Sequence, residues 1–149
     1  MTIPRDFREW FALLNSHRVE YAVVGGYAVA FHGAPRFTGD IDVLVGTDPE
    51  NARRLLAALD AFGFGSLGLG IDDFTQPDRI VQLGVPPMRI DLLTGIDGVD
   101  WTDVLRTRVT TKLEDVEVAF ISVDLLRANK RSTGRAKDRA DLESLGSGE

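Results

Sequence analysis

The sequence predicts an α/β (α+β) protein in which helices and β-strands alternate along the chain. Two observations support this fold class. Apolar residues recur at helical spacing in some segments and form short runs in others, and glycine, proline or helix-capping residues separate those segments. The chain has 149 residues, of which 44% are hydrophobic, which is enough to build a hydrophobic core. We therefore expect one globular domain over residues 1–149.

The first half of the chain predicts three helices and two strands. Two glycines, Gly25 and Gly26, end the first strand, and Pro35 ends the short alanine-rich helix that follows. Asp48 is a good N-cap for the third helix because its carboxylate can accept a backbone N–H. The predicted elements are, in order, a helix over 5–17, a strand over 21–24, a helix over 27–32, a strand over 40–45 and a helix over 49–62.

The second half begins with a glycine-rich stretch, residues 63–70. This stretch predicts a turn and a weak strand, because it lacks the Lys-Ser/Thr ending of a phosphate-binding Walker A loop. Pro86 and Pro87 separate two strands that can form a hairpin, and Gly134 separates two helices at the C-terminus. The predicted elements are strands over 79–85 and 89–93, a helix over 100–106, a strand over 116–121, and a C-terminal hairpin of helices over 123–130 and 137–145.

The composition excludes several classes of protein. There are no cysteines, so a disulfide framework, a zinc-thiolate site and thiol catalysis are excluded, and we expect a cytoplasmic protein. The N-terminus, MTIPRDFREWF, is too polar for a signal peptide. No apolar run approaches the roughly 20 residues that a membrane span needs. We therefore expect no membrane partner.

The charge is distributed unevenly along the chain. The net charge is −6, yet the basic segment from Arg127 to Arg139 holds six basic residues and one acidic residue, a local +5 that leaves about −11 on the rest. Such a segment suits a contact with phosphate or with an acidic partner. It is equally compatible with a solvated helical hairpin in which Asp138 pairs with Arg135 or Arg139.

Three aspartates point to a metal site. Asp40 and Asp42 lie two residues apart in a strand, so they face the same side, and neighbouring carboxylates resist ionising unless a cation lies between them. If the later strand that carries Asp91 neighbours the first one, all three carboxylates converge. Oxygen ligands without histidine or cysteine favour Mg²⁺ or Mn²⁺ over zinc. The alternative is a turn at Asp40 and exposed polar positions at Asp42 or Asp91.

Residues near these aspartates suit phosphate. Gly25 and Gly26 lie between a strand and a helix, where the backbone can approach a phosphate closely, although a plain tight turn gives the same pattern. Arg36 and Thr38 precede the aspartates, and a cation there can steady a triphosphate or an RNA phosphate. The alternative is an ordinary arginine in a surface loop.

Together these residues resemble the nucleotidyltransferase superfamily that includes DNA polymerase β and kanamycin nucleotidyltransferase. The family pattern is a hydrophobic residue, Gly, then Gly or Ser, a spacer and Asp-x-Asp, with a third carboxylate on a later strand. The C-terminal segment is similar to that of small bacterial members, which include toxins of abortive-infection (type IV) toxin–antitoxin pairs. The matching residues here are Val24, Gly25, Gly26, Asp40, Asp42 and Asp91, followed by Lys130, Arg135, Asp138 and Asp141.

The resemblance implies a mixed β-sheet flanked by helices and a magnesium-dependent enzyme that moves a nucleoside monophosphate from a nucleoside triphosphate to an acceptor hydroxyl. Asp40 and Asp42 would bind the metals and Asp91 would help to deprotonate the acceptor. The triphosphate would lie against the Gly25-Gly26 turn and Lys130. Arg135 would also neutralise phosphate charge, and Asp138 would orient one of these two basic side chains. Gly26 departs from the many members that have serine there, and the chain is too short for an additional acceptor-binding domain.

The acceptor that we expect is RNA, for example a tRNA end, because of the basic segment. A protein side chain or an aminoglycoside-like small molecule is the alternative acceptor, and a cognate toxin or antitoxin is an expected partner. Two other classes of function stay open: a non-catalytic binding module with the same fold, and a phosphohydrolase that uses the same metals.

Overall fold

The structure is a computed structural model, described here over residues 3–33, 39–85 and 89–145. A six-stranded mixed sheet with the order β3-β4-β2-β1-β6-β5 forms its centre and is flanked by helices, which confirms the expected fold class. The strands are β1 (Tyr21–Val24), β2 (Asp40–Val45), β3 (Ile80–Leu83), β4 (Arg89–Leu93), β5 (Val109–Leu113) and β6 (Val116–Phe120). The helices are α1 (Arg5–Ser16), α2 (Gly25–Phe31), α3 (Pro49–Leu59), α4 (Trp101–Thr107), α5 (Val123–Thr133) and α6 (Ala136–Leu145).

The central strands run in both directions. β1 pairs antiparallel with β2 and parallel with β6, and β2 pairs parallel with β4. β3 and β5 form the two edges through antiparallel pairs with β4 and β6. The C-terminal end of β1 therefore lies at the same end of the sheet as the N-terminal ends of β2 and β4. This end carries the aspartates.

The hydrophobic core determines which face of the sheet carries the aspartates. Alternate residues of β2, beginning with Ile41, are buried, whereas Asp40 and Asp42 on the other face are half-buried. Helix α1 contacts β6 and α3 through an apolar stripe that its helical spacing predicts. The buried residues of that stripe are Phe7, Trp10, Phe11 and Leu14.

A buried asparagine fixes α3 to the end of the sheet opposite the aspartates. Asp48 caps α3 by accepting a hydrogen bond from the backbone N–H of Asn51 at 3.0 Å, which confirms the predicted N-cap. The side chain of Asn51 accepts from the Glu20 N–H at 2.7 Å and donates to the carbonyls of Glu20 and Gly46 at 3.0 and 2.9 Å. Asn51 thereby provides hydrogen-bond partners for backbone groups of Glu20, just before β1, and of Gly46, just after β2.

The structure departs from the predicted elements in three places. Residues 63–67 form helical turns and 68–70 form no strand, because Gly63 and Gly68 have φ of 102° and 74°, which breaks an extended backbone. The sequence pattern does not predict β5, an exposed edge strand. Helix α2 includes Gly25 and Gly26 and so begins two residues earlier than predicted.

The predicted antiparallel pairing of β3 with β4 is confirmed, and β3 is shorter than predicted. The intervening Pro86 and Pro87 lie outside the described residues. Within the ranges that the structure describes, each helix is too short or too polar to cross a membrane.

Candidate active site

The strand register brings the predicted aspartates together. β2 and β4 are parallel neighbours in which Asp42 lies directly opposite Asp91, and Asp40 lies directly opposite Arg89. Val24, the last residue of β1, lies opposite Asp42 on the other side. The condition set by the sequence, that the two aspartate strands be neighbours, is therefore met.

Asp42 and Asp91 form a pair of carboxyl groups that share a partly buried position. Burial raises the pKa of Asp42 to about 6, and the nearby charge of Asp91, a hydrogen bond with Asp91 and the charge of Asp40 act in the same direction. Only 10% of the Asp91 side chain is exposed, and its Oδ1 atom has no well-aligned hydrogen-bond donor. Two carboxyl groups in this environment favour a cation or a shared proton between them.

Arg89 supplies a positive charge to the other side of the cluster. Its Nη2 atom lies 2.8 Å from Oδ2 of Asp40 and donates to Oδ2 of Asp91 at 3.2 Å. Its Nε atom lies 3.2 Å from Oδ1 of Asp91, without hydrogen-bond alignment. The sequence analysis gave Arg89 no role. The available signal was the two-residue spacing between Arg89 and Asp91.

Gly25 makes room for the Asp42 carboxylate. Its φ of 67° is a left-handed conformation, and a Cβ at this position would overlap Oδ2 of Asp42. Any other residue would therefore be strained and would also displace the carboxylate. Gly26 follows as the second residue of α2 and is half-buried. The approach of a phosphate to these glycines stays a prediction.

The donor set fits a hard divalent cation, with one qualification. Three carboxylates on adjacent strands offer only oxygen ligands, and Oδ1 of Asp91 is a buried acceptor with no aligned donor. As the side chains now lie, no group of three such residues within the described ranges converges closely enough to hold a metal ion. The guanidinium of Arg89 contacts two of the three carboxylates, so a cation would require this side chain to move.

The C-terminal residues that were assigned to phosphate form a buried ionic cluster instead of an open cradle. The Nζ atom of Lys130 lies 3.4 Å from Asp138 and 3.2 Å from Asp141, and all three side chains are buried. Asp138 also accepts from Thr133 at 2.6 Å and from Arg135 Nε at 2.7 Å. These hydrogen bonds hold the pKa of Asp138 well below its usual range, and the bond from Arg135 has the largest effect. The cluster joins α5 to α6.

Lys137 is the residue that sequence reasoning missed in this region. It is exposed, precedes the buried Asp138 in α6, and its charge lowers the pKa of Asp42, against the larger effects that raise it. Because Asp138 and Asp141 are buried on one side of α6, the helical period would have placed Lys137 off that side. Arg36 and Thr38, predicted beside the phosphate, lie outside the described residues.

The basic segment is less available to a ligand than its composition suggests. Arg127 pairs with Asp124 and donates to the carbonyl of Leu145 at 2.8 Å, while Lys130 and Arg135 pair with acidic residues of α6. The alternative interpretation, a helical hairpin with internal ion pairs, therefore describes half of the segment. Its other basic residues, Arg131, Lys137 and Arg139, are exposed.

Comparisons with known proteins give the fold a context. No known protein-family profile and no curated protein sequence matches the chain. Among solved structures, an antigenic nucleotidyltransferase-like protein from Paracoccidioides brasiliensis superposes with a TM-score of 0.58 at 20% identity, over 97% of this chain and 76% of that chain. The lincomycin-bound lincosamide antibiotic adenylyltransferase LnuA superposes with a TM-score of 0.57 at 15% identity, over 99% of both chains. The antibiotic-resistance factor ANT(2″)-Ia superposes with a TM-score of 0.61 at 13% identity, over 95% of this chain and 83% of that chain. The chain is therefore similar to these proteins in its fold, which is the nucleotidyltransferase fold.

Proposed function

We propose that this protein transfers a nucleoside monophosphate from a nucleoside triphosphate to an acceptor hydroxyl. The observation that carries the proposal is the register of β2 and β4, which puts Asp42 and Asp91 side by side with Asp40 on the same face of the sheet. The similarity of the fold to nucleotidyltransferases supports this reaction over other uses of an aspartate cluster.

The aspartates have distinct proposed roles. Asp40, Asp42 and Asp91 would hold Mg²⁺ or Mn²⁺, for which their carboxylate oxygens are suitable ligands. When bound, such a cation supplies charge neutralisation at the phosphates and a lower pKa at the attacking hydroxyl. Asp91 would accept the hydroxyl proton, as the carboxylate that lies directly opposite Asp42 across the two strands. The hydroxyl oxygen then attacks the α-phosphorus, and pyrophosphate leaves.

The triphosphate would lie between the start of α2 and the start of α6. We assign contact with its phosphates to the backbone of Gly25 and Gly26 and to the Lys137 side chain, with Arg36 and Thr38 retained from the sequence interpretation. Lys130, Arg135 and Asp138 would act indirectly, because their side chains bind one another. Their proposed function is to hold the start of α6, and hence Lys137, in place.

Two classes of acceptor remain supported. RNA, such as a tRNA end, would use the exposed Arg131, Lys137 and Arg139, fewer basic side chains than the sequence suggested. A small hydroxylated molecule is the second candidate, because LnuA binds lincomycin and ANT(2″)-Ia was solved with adenylyl-2″-tobramycin. The toxin–antitoxin role and the cytoplasmic location are carried over from the sequence as part of this proposal.

The test is a transfer assay. The protein is incubated with each α-labelled nucleoside triphosphate, Mg²⁺, and either total cellular RNA or a set of hydroxylated small molecules. The Asp42→Ala variant tests the site, and Asp115→Ala, at an exposed turn between β5 and β6, is the matched control. We expect label in one acceptor class with the wild type and the control only. Undiminished transfer by Asp42→Ala would refute the site assignment.

The same assay separates the other functions. Release of phosphate from the triphosphate without an acceptor would identify a phosphohydrolase. A non-catalytic binding module would give no product. Thermal stabilisation by nucleoside triphosphate with Mg²⁺ distinguishes an enzyme that lacks its acceptor in the assay from a module that has no nucleotide site, because only the former is stabilised.

A further inference from the structure

The guanidinium of Arg89 lies against the carboxylates proposed to hold the divalent cation. One of its nitrogens, Nη2, is 2.8 Å from Oδ2 of Asp40 and 3.2 Å from Oδ2 of Asp91, and Nε is 3.2 Å from Oδ1 of Asp91. The arginine thus touches three of the four oxygens of these two carboxylates. It bridges β2 and β4 at the position where they begin.

The position of Arg89 follows from the strands themselves. Arg89 is directly opposite Asp40 in the parallel pair and two residues before Asp91, so all three side chains project from the same sheet face. The planar fork of a guanidinium suits two carboxylates at once, which a lysine ammonium does not match. A positive charge here offsets the repulsion among three carboxylates in the protein without a bound cation.

A guanidinium and a divalent cation compete for such a site. Both require the lone pairs of the same carboxylate oxygens, and their like charges repel at the short distance that shared ligands would impose. A guanidinium leaves such a site only by movement of the side chain, because arginine is not deprotonated in proteins. Its side chain is 31% exposed, which leaves it a path into solvent.

We propose that Arg89 is an internal counter-cation that occupies the carboxylate cluster before the divalent cation binds, and that the cation must displace it. This inference rests on the proposed function, because it takes Asp40 and Asp91 as metal ligands. Arg89 then positions the two carboxylates in the unloaded protein and lowers the metal affinity of the site. It is a positioning residue in that state, and its release accompanies loading of the site.

The test measures Mn²⁺ binding without nucleotide, from the EPR signal of free Mn²⁺. Arg89→Gln removes the competing charge, and Arg54→Gln is the matched control, because Arg54 is an arginine of α3 that pairs with Glu50. Removing a positive charge in direct contact with the ligand oxygens should tighten Mn²⁺ binding about tenfold. The control should leave the dissociation constant unchanged. Equal or weaker binding by Arg89→Gln would overturn the inference.

Failure of the inference is distinguishable from failure of the proposed function. If the wild type binds Mn²⁺ and Arg89→Gln binds it no more tightly, only the role of Arg89 is refuted. If none of the three proteins binds Mn²⁺, the metal site is refuted as well, and the inference falls with it.

A second measurement avoids the variant, in case Arg89→Gln does not fold. In protein labelled with ¹⁵N-arginine, the Nε–Hε signal of Arg89 is followed during titration with diamagnetic Mg²⁺, and its assignment comes from Arg89→Lys. The signal should move to the position of a solvated guanidinium as the site fills, while that of Arg135, bound to Asp138, stays in place. An unchanged Arg89 signal at saturating Mg²⁺ would overturn the inference.

Discussion

Replacing Asp42 by asparagine should stabilise the cation-free protein at neutral pH. Burial and the neighbouring carboxylates raise the pKa of Asp42 from 3.8 to about 6. A carboxyl whose pKa is raised by folding stabilises the native state while protonated, and this contribution is lost as the pH rises from about 4 through 6. Asparagine resembles the protonated carboxyl in shape and hydrogen bonding, so the variant avoids the loss.

The magnitude follows from the difference in pKa. Each pKa step corresponds to about 1.4 kcal/mol, so the rise from 3.8 to about 6 corresponds to at most about 3 kcal/mol in the free energy of unfolding. Asp42 keeps some exposure to water, which reduces the expected gain to about 2 kcal/mol at pH 7.5. At pH 4, where Asp42 is protonated in the folded protein, the wild type and the variant should differ little.

The assay is urea unfolding in EDTA, followed by the fluorescence of Trp10 and Trp101 at several pH values between 4 and 8. The difference in unfolding free energy between Asp42→Asn and the wild type should grow as the pH rises through 6. The control is Asp115→Asn, an exposed turn residue whose exchange should cost less than about 0.5 kcal/mol at any of these pH values. A variant that is less stable than the wild type at pH 7.5, or a difference that does not change with pH, would refute the reasoning.

Three further predictions concern stability. Gly25→Ala should cost about 2–3 kcal/mol and weaken Mn²⁺ binding, because φ is 67° and the new Cβ would push on Asp42; denaturant unfolding and EPR measure the two effects. Asn51→Ala should cost about 2–4 kcal/mol in the same unfolding assay, because it leaves buried backbone groups without partners. Asp138→Asn should cost about 2–4 kcal/mol at pH 7, because Lys130 loses one of two buried partners. The Asp138 contribution should vanish as the pH falls through and below the ordinary range of an aspartate, the opposite sense to Asp42.

Each of these variants has a matched control. Gly33→Ala introduces a Cβ at a positive φ of 111° with no atom within 4 Å, so it should strain the backbone without affecting Mn²⁺ binding. Asn129→Ala, the control for Asn51→Ala, removes one exposed hydrogen bond. Asp124→Asn, the control for Asp138→Asn, removes an exposed partner of Arg127. If Asn129→Ala or Asp124→Asn lost as much stability as its partner, or if Gly33→Ala weakened Mn²⁺ binding as Gly25→Ala does, the reason given for that partner would be wrong.

Much of the local structure was predictable because its causes lie within a few residues. The apolar stripe of α1, the Asp48 cap of α3 and the alternation that puts Asp40 and Asp42 on one face are all short-range patterns, and the structure contains them. The weak strand in the glycine-rich stretch 63–70 was predicted wrongly because the same glycines permit extended and left-handed backbone alike. The edge strand β5 escaped prediction because it buries little apolar surface.

The sequence by itself determined the fold class, the main helices and strands, and the three aspartates with the glycines that precede them. Only the tertiary structure decided that Asp42 faces Asp91 across a parallel pair, because that register depends on strands almost 50 residues apart in the chain. It also decided where the positive charges go: Arg89 among the aspartates, Lys130 in a buried cluster, and Lys137 exposed near Asp42. The sequence shows which charged side chains are present, whereas the partners and the burial of each one depend on the packing of distant segments.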